Sequence, residues 1–227
     1  MLKLHFLGRG AAFYPSFGNT NAWFEKNKYL FFLDFGEEAF HKVIGKIPLE
    51  QYDRIFVLLT HLHADHAGSL ASLCSYTHLV LKRDIVVIHP VDSVVKMLRI
   101  QGIADSFYTW MTELPDGCGV KARQVEVAHA EDMKAYGYLL SDGDQVIYYS
   151  GDAARLGEDI VRDYLKGDIN EIYHDTASHM SQSHCCYKIL GEQIPEEKRK
   201  HVYCMHLDGD YVNLLRDKGF SVVEVDL

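Results

Sequence analysis

Residues 60–68, Thr60-His61-Leu62-His63-Ala64-Asp65-His66-Ala67-Gly68, place three imidazoles and a carboxylate within six consecutive positions. Neutral imidazole nitrogen and carboxylate oxygen are the donor atoms that borderline-soft divalent metals accept. His61 and His63 alternate and can point one way, while Asp65 and His66 can point another, so the stretch suggests two metals. Histidines that merely solvate a loop are the bland alternative, and so dense a set makes it the poorer one.

The flanking sequence says what must hold this stretch. The apolar run Ile55-Phe56-Val57-Leu58-Leu59 reads as a buried strand, although periodicity alone also admits a short buried helix. Beyond Asp65 the apolar residues Ala67, Leu70, Ala71 and Cys74 fall at i, i+3, i+4 and i+7, a helix face with Asp65 placed to cap its start. The donors therefore sit where a strand hands over to a helix.

The pattern His61-x-His63-x-Asp65-His66 at a strand end resembles the signature of the metallo-β-lactamase superfamily. The segment Phe6-Leu7-Gly8 … Pro15 … Asn19 … Leu33-Asp34-Phe35-Gly36-Glu37 is similar to the opening of its ribonuclease Z and phosphodiesterase branch. Superfamily members continue with a His, a Gly-Asp and a final His. Here His129 ends the alternating strand 125–129, Gly151-Asp152 follows the strand 145–149, and His206 ends the strand 201–206. The resemblance covers nearly the whole chain.

The resemblance implies an αββα sandwich, in agreement with the α/β class expected from strands alternating with helices, and one domain over residues 1–227. It implies two divalent ions, zinc foremost with manganese or iron as alternatives. His61, His63 and His129 would hold one, Asp65, His66 and His206 the other, and Asp152 would bridge. Two such ions about 3.5–4 Å apart can share a hydroxide and polarise a substrate oxygen. Asp34 would orient a ligand histidine from behind, with a helix cap as the competing reading. His174-Asp175-Thr176-Ala177 resembles the ribonuclease Z His-Glu-Ala-Thr element. His184 would protonate the leaving group, with Asp175 orienting it and Asp65 counted with the catalytic set.

Hydrolysis of a phosphodiester by a bridging hydroxide is the activity that follows. Secreted β-lactamases, glyoxalase II-type thioesterases and flavodiiron reductases fit less well, the last because they carry Glu where His63 stands. Transfer-RNA 3′-processing, a thioester or lactone substrate, and a metal-binding relative without catalysis are the alternatives. A small phosphodiester such as a cyclic nucleotide is favoured over RNA, because the interval between His129 and Asp152 holds one hairpin and no gripping arm. The net charge of −9 points the same way, since binding along a phosphate backbone needs clustered Lys and Arg.

The remaining features bound the setting. At 227 residues with 48% hydrophobic and 24% charged content, the chain is that of an ordinary globular protein. No apolar run approaches a membrane span, and Met1 to Gly8 does not read as a signal peptide. Five cysteines without a C-x-x-C pair suggest a reducing cytoplasm. A homodimer is suggested by the family alone. Gly8-Arg9-Gly10 reads as an anion cradle or an ordinary turn, and the aromatic stretch 101–119 as core packing or a substrate cover. His5, His41, His78, His89, His179 and His201 read as surface or core histidines.

Overall fold

The computed structural model describes residues 2–226. Two six-stranded sheets are each laid out in sequence order. The first comprises β1 (His5–Phe6), β2 (Ala22–Lys26), β3 (Tyr29–Leu33), β4 (Arg54–Leu58), β5 (Ile85–Ile88) and β6 (Tyr108–Met111). The second comprises β7 (Lys121–Val127), β8 (Ala135–Ser141), β9 (Val146–Tyr149), β10 (Glu171–Asp175), β11 (Val202–Met205) and β12 (Ser221–Val222). The halves share one plan. Three antiparallel strands lead into parallel pairings, β3 through β6 in one sheet and β9 through β12 in the other.

Side-chain alternation makes the layers. Leu30 and Phe32 of β3, Ile55 and Val57 of β4, and Ile85 and Val87 of β5 pack outward against α1 (Ala39–Val43), α3 (Leu70–Leu79) and α4 (Ser93–Ile100). Their neighbours Phe31, Leu33, Phe56, Leu58, Val86 and Ile88 point inward and meet Tyr138, Leu140, Ile147 and Tyr149 of the second sheet. Buried on both faces, these strands appear in sequence as unbroken apolar runs. The outer face of the second sheet is covered by α5 (Glu158–Lys166), α6 (Tyr187–Gln193) and α7 (Val212–Asp217). The architecture is the expected αββα sandwich.

Several local expectations need correction. The single helix after the His-rich turn is two: α2 (Ala64–Ala67) ends at Gly68, and α3 starts after Ser69. The Ser69 hydroxyl donates to Gly36 O and accepts from Phe40 N–H, which ties the break to the neighbouring loop. Asp65 lies inside α2 rather than capping it, and His63 occupies the cap position. The stretch 101–119 contributes β6, whose Tyr108 and Trp110 face the outer core while Met111 faces the inner one. Four residues are too few for a period to show. The final strand joins the ladder only over Ser221–Val222, with an isolated bridge from Val225 to Phe6, and in the first only His5–Phe6 joins the ladder.

The Gly8-Arg9-Gly10 segment is not an anion cradle. Two of its amides are already committed, Arg9 N–H to Phe17 O and Gly10 N–H to Gly18 O, at 3.0 and 2.7 Å. It is a closely packed turn: a Cβ at Gly10 would meet Tyr14 O at 2.7 Å.

Candidate metal centre

The ends of the parallel strands converge on one rim between the sheets. His61 and His63 follow β4, Asp152 follows β9, Asp175 ends β10 and His206 follows β11, while His129 arrives beyond β7. The turn carrying His61 to His66 is clamped from behind. Phe35 N–H donates to His66 O and Glu37 N–H to Ala64 O, at 2.7 and 2.9 Å. The Asn21 amide bridges, accepting from Gly36 N–H and donating to Asp65 O. Contact there is so tight that a Cβ on Gly36 would lie 1.8 Å from Asp65 O.

The seven expected ligand residues fall into two groups whose donor atoms lie within 4.8 Å of one another: His61, His63, His129 and Asp152, and Asp65, His66, Asp152 and His206. Asp152 belongs to both. Its Oδ2 faces the first group, 3.8 Å from His61 Nε2 and 3.6 Å from His129 Nε2. Its Oδ1 faces the second, 3.0 Å from His66 Nε2 and 3.3 Å from His206 Nε2. Asp65 Oδ2 completes that group at 3.2 Å from both His66 Nε2 and His206 Nε2.

Hydrogen bonds on the far side of the rings set which nitrogen carries a lone pair. Asp34 Oδ2 accepts from His66 Nδ1 at 2.8 Å. The Thr60 hydroxyl donates to Asp34 and accepts from His61 Nδ1 at 3.0 Å. His129 Nδ1 donates to Ser183 O at 3.0 Å. In this network the Nε2 lone pairs of His61, His66 and His129 all point inward. Two of them meet His63 Nδ1, at 2.9 Å from His61 and 3.2 Å from His129, and a single proton on that nitrogen can serve only one. Buried His66 Nε2 and Asp152 Oδ1 approach closely yet have no hydrogen-bond partner. Nitrogen and carboxylate donors converging in this way are what a divalent cation satisfies, in place of a proton between His66 Nε2 and Asp152.

Charge gives the same answer. Asp34, Asp65, Asp152 and Asp175 are all buried, and no Lys or Arg is among the described residues lining the cleft. Burial would raise Asp65, but His66 and His206 outweigh it and hold the carboxyl well below the usual range. Burial would lower His66, and here Asp152, Asp34 and Asp65 lift it well above its ordinary value. Burial pulls His206 down too, yet Asp152 and Asp175 hold it up at about 10. His61, with less carboxylate close by, is driven down by burial and by the neighbouring rings. The carboxylates thus demand positive charge at one end of the cage, and His61 and His63 at the other resist protonation. The donor set fits divalent metal.

Asp34 is fully buried in the left-handed backbone region, φ 64°, and accepts from Thr60 N–H at 2.7 Å as well. It stands behind the histidines and caps no helix. Burial pushes its carboxyl up while His66 and Thr60 pull it back. His184 sits at the mouth. Its Nδ1 donates to Asp175 Oδ2 at 2.7 Å, and its ring stacks on His206 with centroids 5.1 Å apart. Asp175 is held by the Ala153 N–H, also on Oδ2, at 3.0 Å. Burial lowers the His184 pKa, and the Asp175 contact more than reverses that.

Thr60, Asn21 and Ser183 support the site and were not anticipated from sequence. Position was the only signal, Thr60 directly before the His-rich stretch and Ser183 directly before His184. Among the histidines read as uninvolved, His5, His78 and His179 pair with Asp226, Asp84 and Asp208, and His89 is buried against Val91 O. None of the six enters a donor group.

A family model described as the anti-Pycsar protein Apyc1 matches residues 2–223. The chain belongs to this family. A relative of that name from Bacillus phage vB_BveM-Goe7 is 29% identical over 240 residues, which cover 92% of this chain and 90% of the relative. Among solved structures, the metallo-β-lactamase fold protein YhfI from Bacillus subtilis superposes with a TM-score of 0.78 at 14% identity, over 100% of this chain and 98% of the other. A diphosphatase of the PhnP family follows at 0.77 and 16%, over 100% and 96%, and the short form of human tRNase Z at 0.71 and 16%, over 99% and 97%. At these identities the structures establish the fold. This Apyc1-family chain thus carries the metallo-β-lactamase fold that its motif resembles. The anti-Pycsar family was not legible in the residues.

Proposed function

We propose that this chain is a dinuclear metal hydrolase of a small cyclic phosphodiester, a cyclic nucleotide foremost, and that this hydrolysis underlies an anti-Pycsar role like that for which its family is described. The observation that carries the reading is Asp152, whose two oxygens each address a separate set of nitrogen and oxygen donors. His61, His63 and His129 would hold one divalent ion and Asp65, His66 and His206 the other. Zinc is foremost by donor type. Such ions, when bound, supply an activated hydroxide and offset charge on the phosphoryl oxygens.

The chain's own groups account for the rest. His184 keeps its Nδ1 proton on Asp175, leaving Nε2 to carry the proton that the departing oxygen needs when the P–O bond breaks. Asp175 fixes that ring, so it acts as a positioning residue. The cleft has a volume of about 480 Å³, room for a mononucleotide-sized ligand. Among the described residues its lining holds none of the lysines and arginines that grip a long phosphate backbone, which favours a small substrate over RNA. Five buried, unpaired cysteines support action in a reducing cytoplasm.

The test is a panel of cyclic nucleotides, pre-tRNA and thioesters incubated with purified protein, with products separated by chromatography. The expected result is conversion of a cyclic nucleotide to the linear monophosphate, abolished by chelator and by His66→Ala, with pre-tRNA left intact. Cleavage of pre-tRNA or of a thioester in preference to every cyclic nucleotide would overturn the substrate assignment. Tight metal without turnover on the whole panel would make the chain a binder.

A further inference from the structure

We infer that Phe13 is the stacking platform for the substrate's nucleobase, an inference that rests on the phosphodiesterase reading above. Phe13 is 98% exposed, the most exposed of the large hydrophobic residues among those described. It lines the same cleft as His63, Asp152 and His184. A solitary exposed apolar residue ordinarily needs no explanation, but this one is mounted.

Tyr14 N–H donates to Ala11 O at 3.0 Å, closing a tight turn with Ala12 and Phe13 at its tip. Ala11 N–H donates to Leu207 O at 3.0 Å, and Leu207 N–H donates to Arg9 O at 2.9 Å. Leu207 directly follows His206, so the turn is bonded to the backbone that carries a candidate ligand. Beneath it, Tyr14 meets Phe17 edge-on at 4.9 Å, and the Arg9 guanidinium covers the Phe17 ring at 4.5 Å. The close-packed Gly8-Arg9-Gly10 segment therefore serves as the footing of this turn. A nearly fully exposed ring carried at the cleft by a braced turn presents an open π-face.

The cleft wall specifies what meets that face. Around the donor cage it is formed by Ala11, Ala12, Ala64 and Ala130 together with Glu37 and Ser183, with no lysine or arginine among the described residues. The phosphodiester has its place at the cage, so the wall receives the remainder of the substrate. Four alanine methyl groups and one aromatic ring suit the faces of a flat ring, and the Glu37 carboxylate and Ser183 leave polar groups for its edge. Every nucleobase has a π-face, and stacking on an aromatic side chain tolerates different bases. Phe13 would thus govern whether a base is accepted, and only weakly which one.

The test compares wild type, Phe13→Ala and Phe13→Trp on a cyclic nucleotide and on glycerol 1,2-cyclic phosphate, which has no base. Loss of one stacking partner predicts that Phe13→Ala raises KM for the cyclic nucleotide about tenfold with kcat within about twofold. Phe13→Trp restores KM, and the base-free substrate shows no change in either variant. An unchanged KM for the cyclic nucleotide in Phe13→Ala would overturn the inference while leaving the hydrolase reading intact. So would an equal loss on the base-free substrate, or a change in oligomeric state by sedimentation, which would make Phe13 a contact between copies. Wild-type protein that hydrolyses no cyclic nucleotide overturns the phosphodiesterase reading and the base subsite together.

Discussion

Asp34→Asn changes one oxygen to an amide nitrogen in a fully buried side chain and should disable one half of the cage. The carboxylate accepts from three donors: Thr60 N–H on Oδ1, the Thr60 hydroxyl shared between Oδ1 and Oδ2, and His66 Nδ1 on Oδ2. Asparagine can keep the Thr60 amide bond through its remaining oxygen. Its NH2 group then confronts the His66 Nδ1 proton, donor against donor. His66 is relieved only by moving that proton to Nε2, the atom 3.0 Å from Asp152 and 3.2 Å from Asp65. A lone pair needed inside the cage becomes an N–H. The hydrogen bond lost is to a charged group, worth about 1.5–3 kcal/mol, and comparable outer partners of metal ligands cost 10–100-fold in affinity. The expected outcome is a roughly 10–100-fold weaker site at Asp65, His66 and His206, with a smaller effect at His61, which Asp34 reaches only through Thr60. Competition against a chromogenic chelator measures both affinities. Unchanged affinity for both ions, or a loss confined to the His61 group, would refute the tautomer argument.

Other perturbations test neighbouring links. His184→Ala should slow cyclic-phosphodiester hydrolysis roughly 10²–10⁴-fold with metal content unchanged, and the defect should shrink for a substrate whose leaving group is acidic, as steady-state kinetics would show. Gly36→Ala puts a methyl group against Asp65 O; overpacking of about 1–3 kcal/mol should lower the thermal midpoint, and an unshifted melt would mean that the loop yields freely. In metal-free protein His206 titrates at about 10 against about 6.5 unfolded. A raised value stabilises fully below the unfolded pKa and is lost as pH climbs through the folded one. Melts of chelated protein should therefore weaken between about pH 6.5 and 10, whereas metal-loaded protein, with the proton already displaced, should not share that slope.

The rim of the sandwich was far easier to read than its supports. Strands β3, β4 and β5 are buried on both faces, so they stand out as apolar runs, and the donors come directly after them or in a fixed order later. Side-chain chemistry was thus announced locally even though His61 and His206 are distant in sequence. The supports were hidden because they act through ordinary residues. Thr60 matters for one hydroxyl lodged between Asp34 and His61, Asn21 for an amide that ties Gly36 to Asp65, and Ser183 for a backbone oxygen. Nothing in the identity of these three marks the duty. Helix boundaries around Gly68 and the edge strand Tyr108–Met111 were missed because tertiary hydrogen bonds, including those of Ser69, decide them. Phe13 had no pattern around it, and only its position at the mouth gives it meaning.

The central claim is that seven side chains enclose two cations with Asp152 between them. Anomalous diffraction at the zinc edge, on crystals grown with zinc, measures this directly. Two peaks should appear, one beside Asp152 Oδ2 among His61, His63 and His129, the other beside Oδ1 among Asp65, His66 and His206. A single peak, or peaks away from Asp152, would contradict the account.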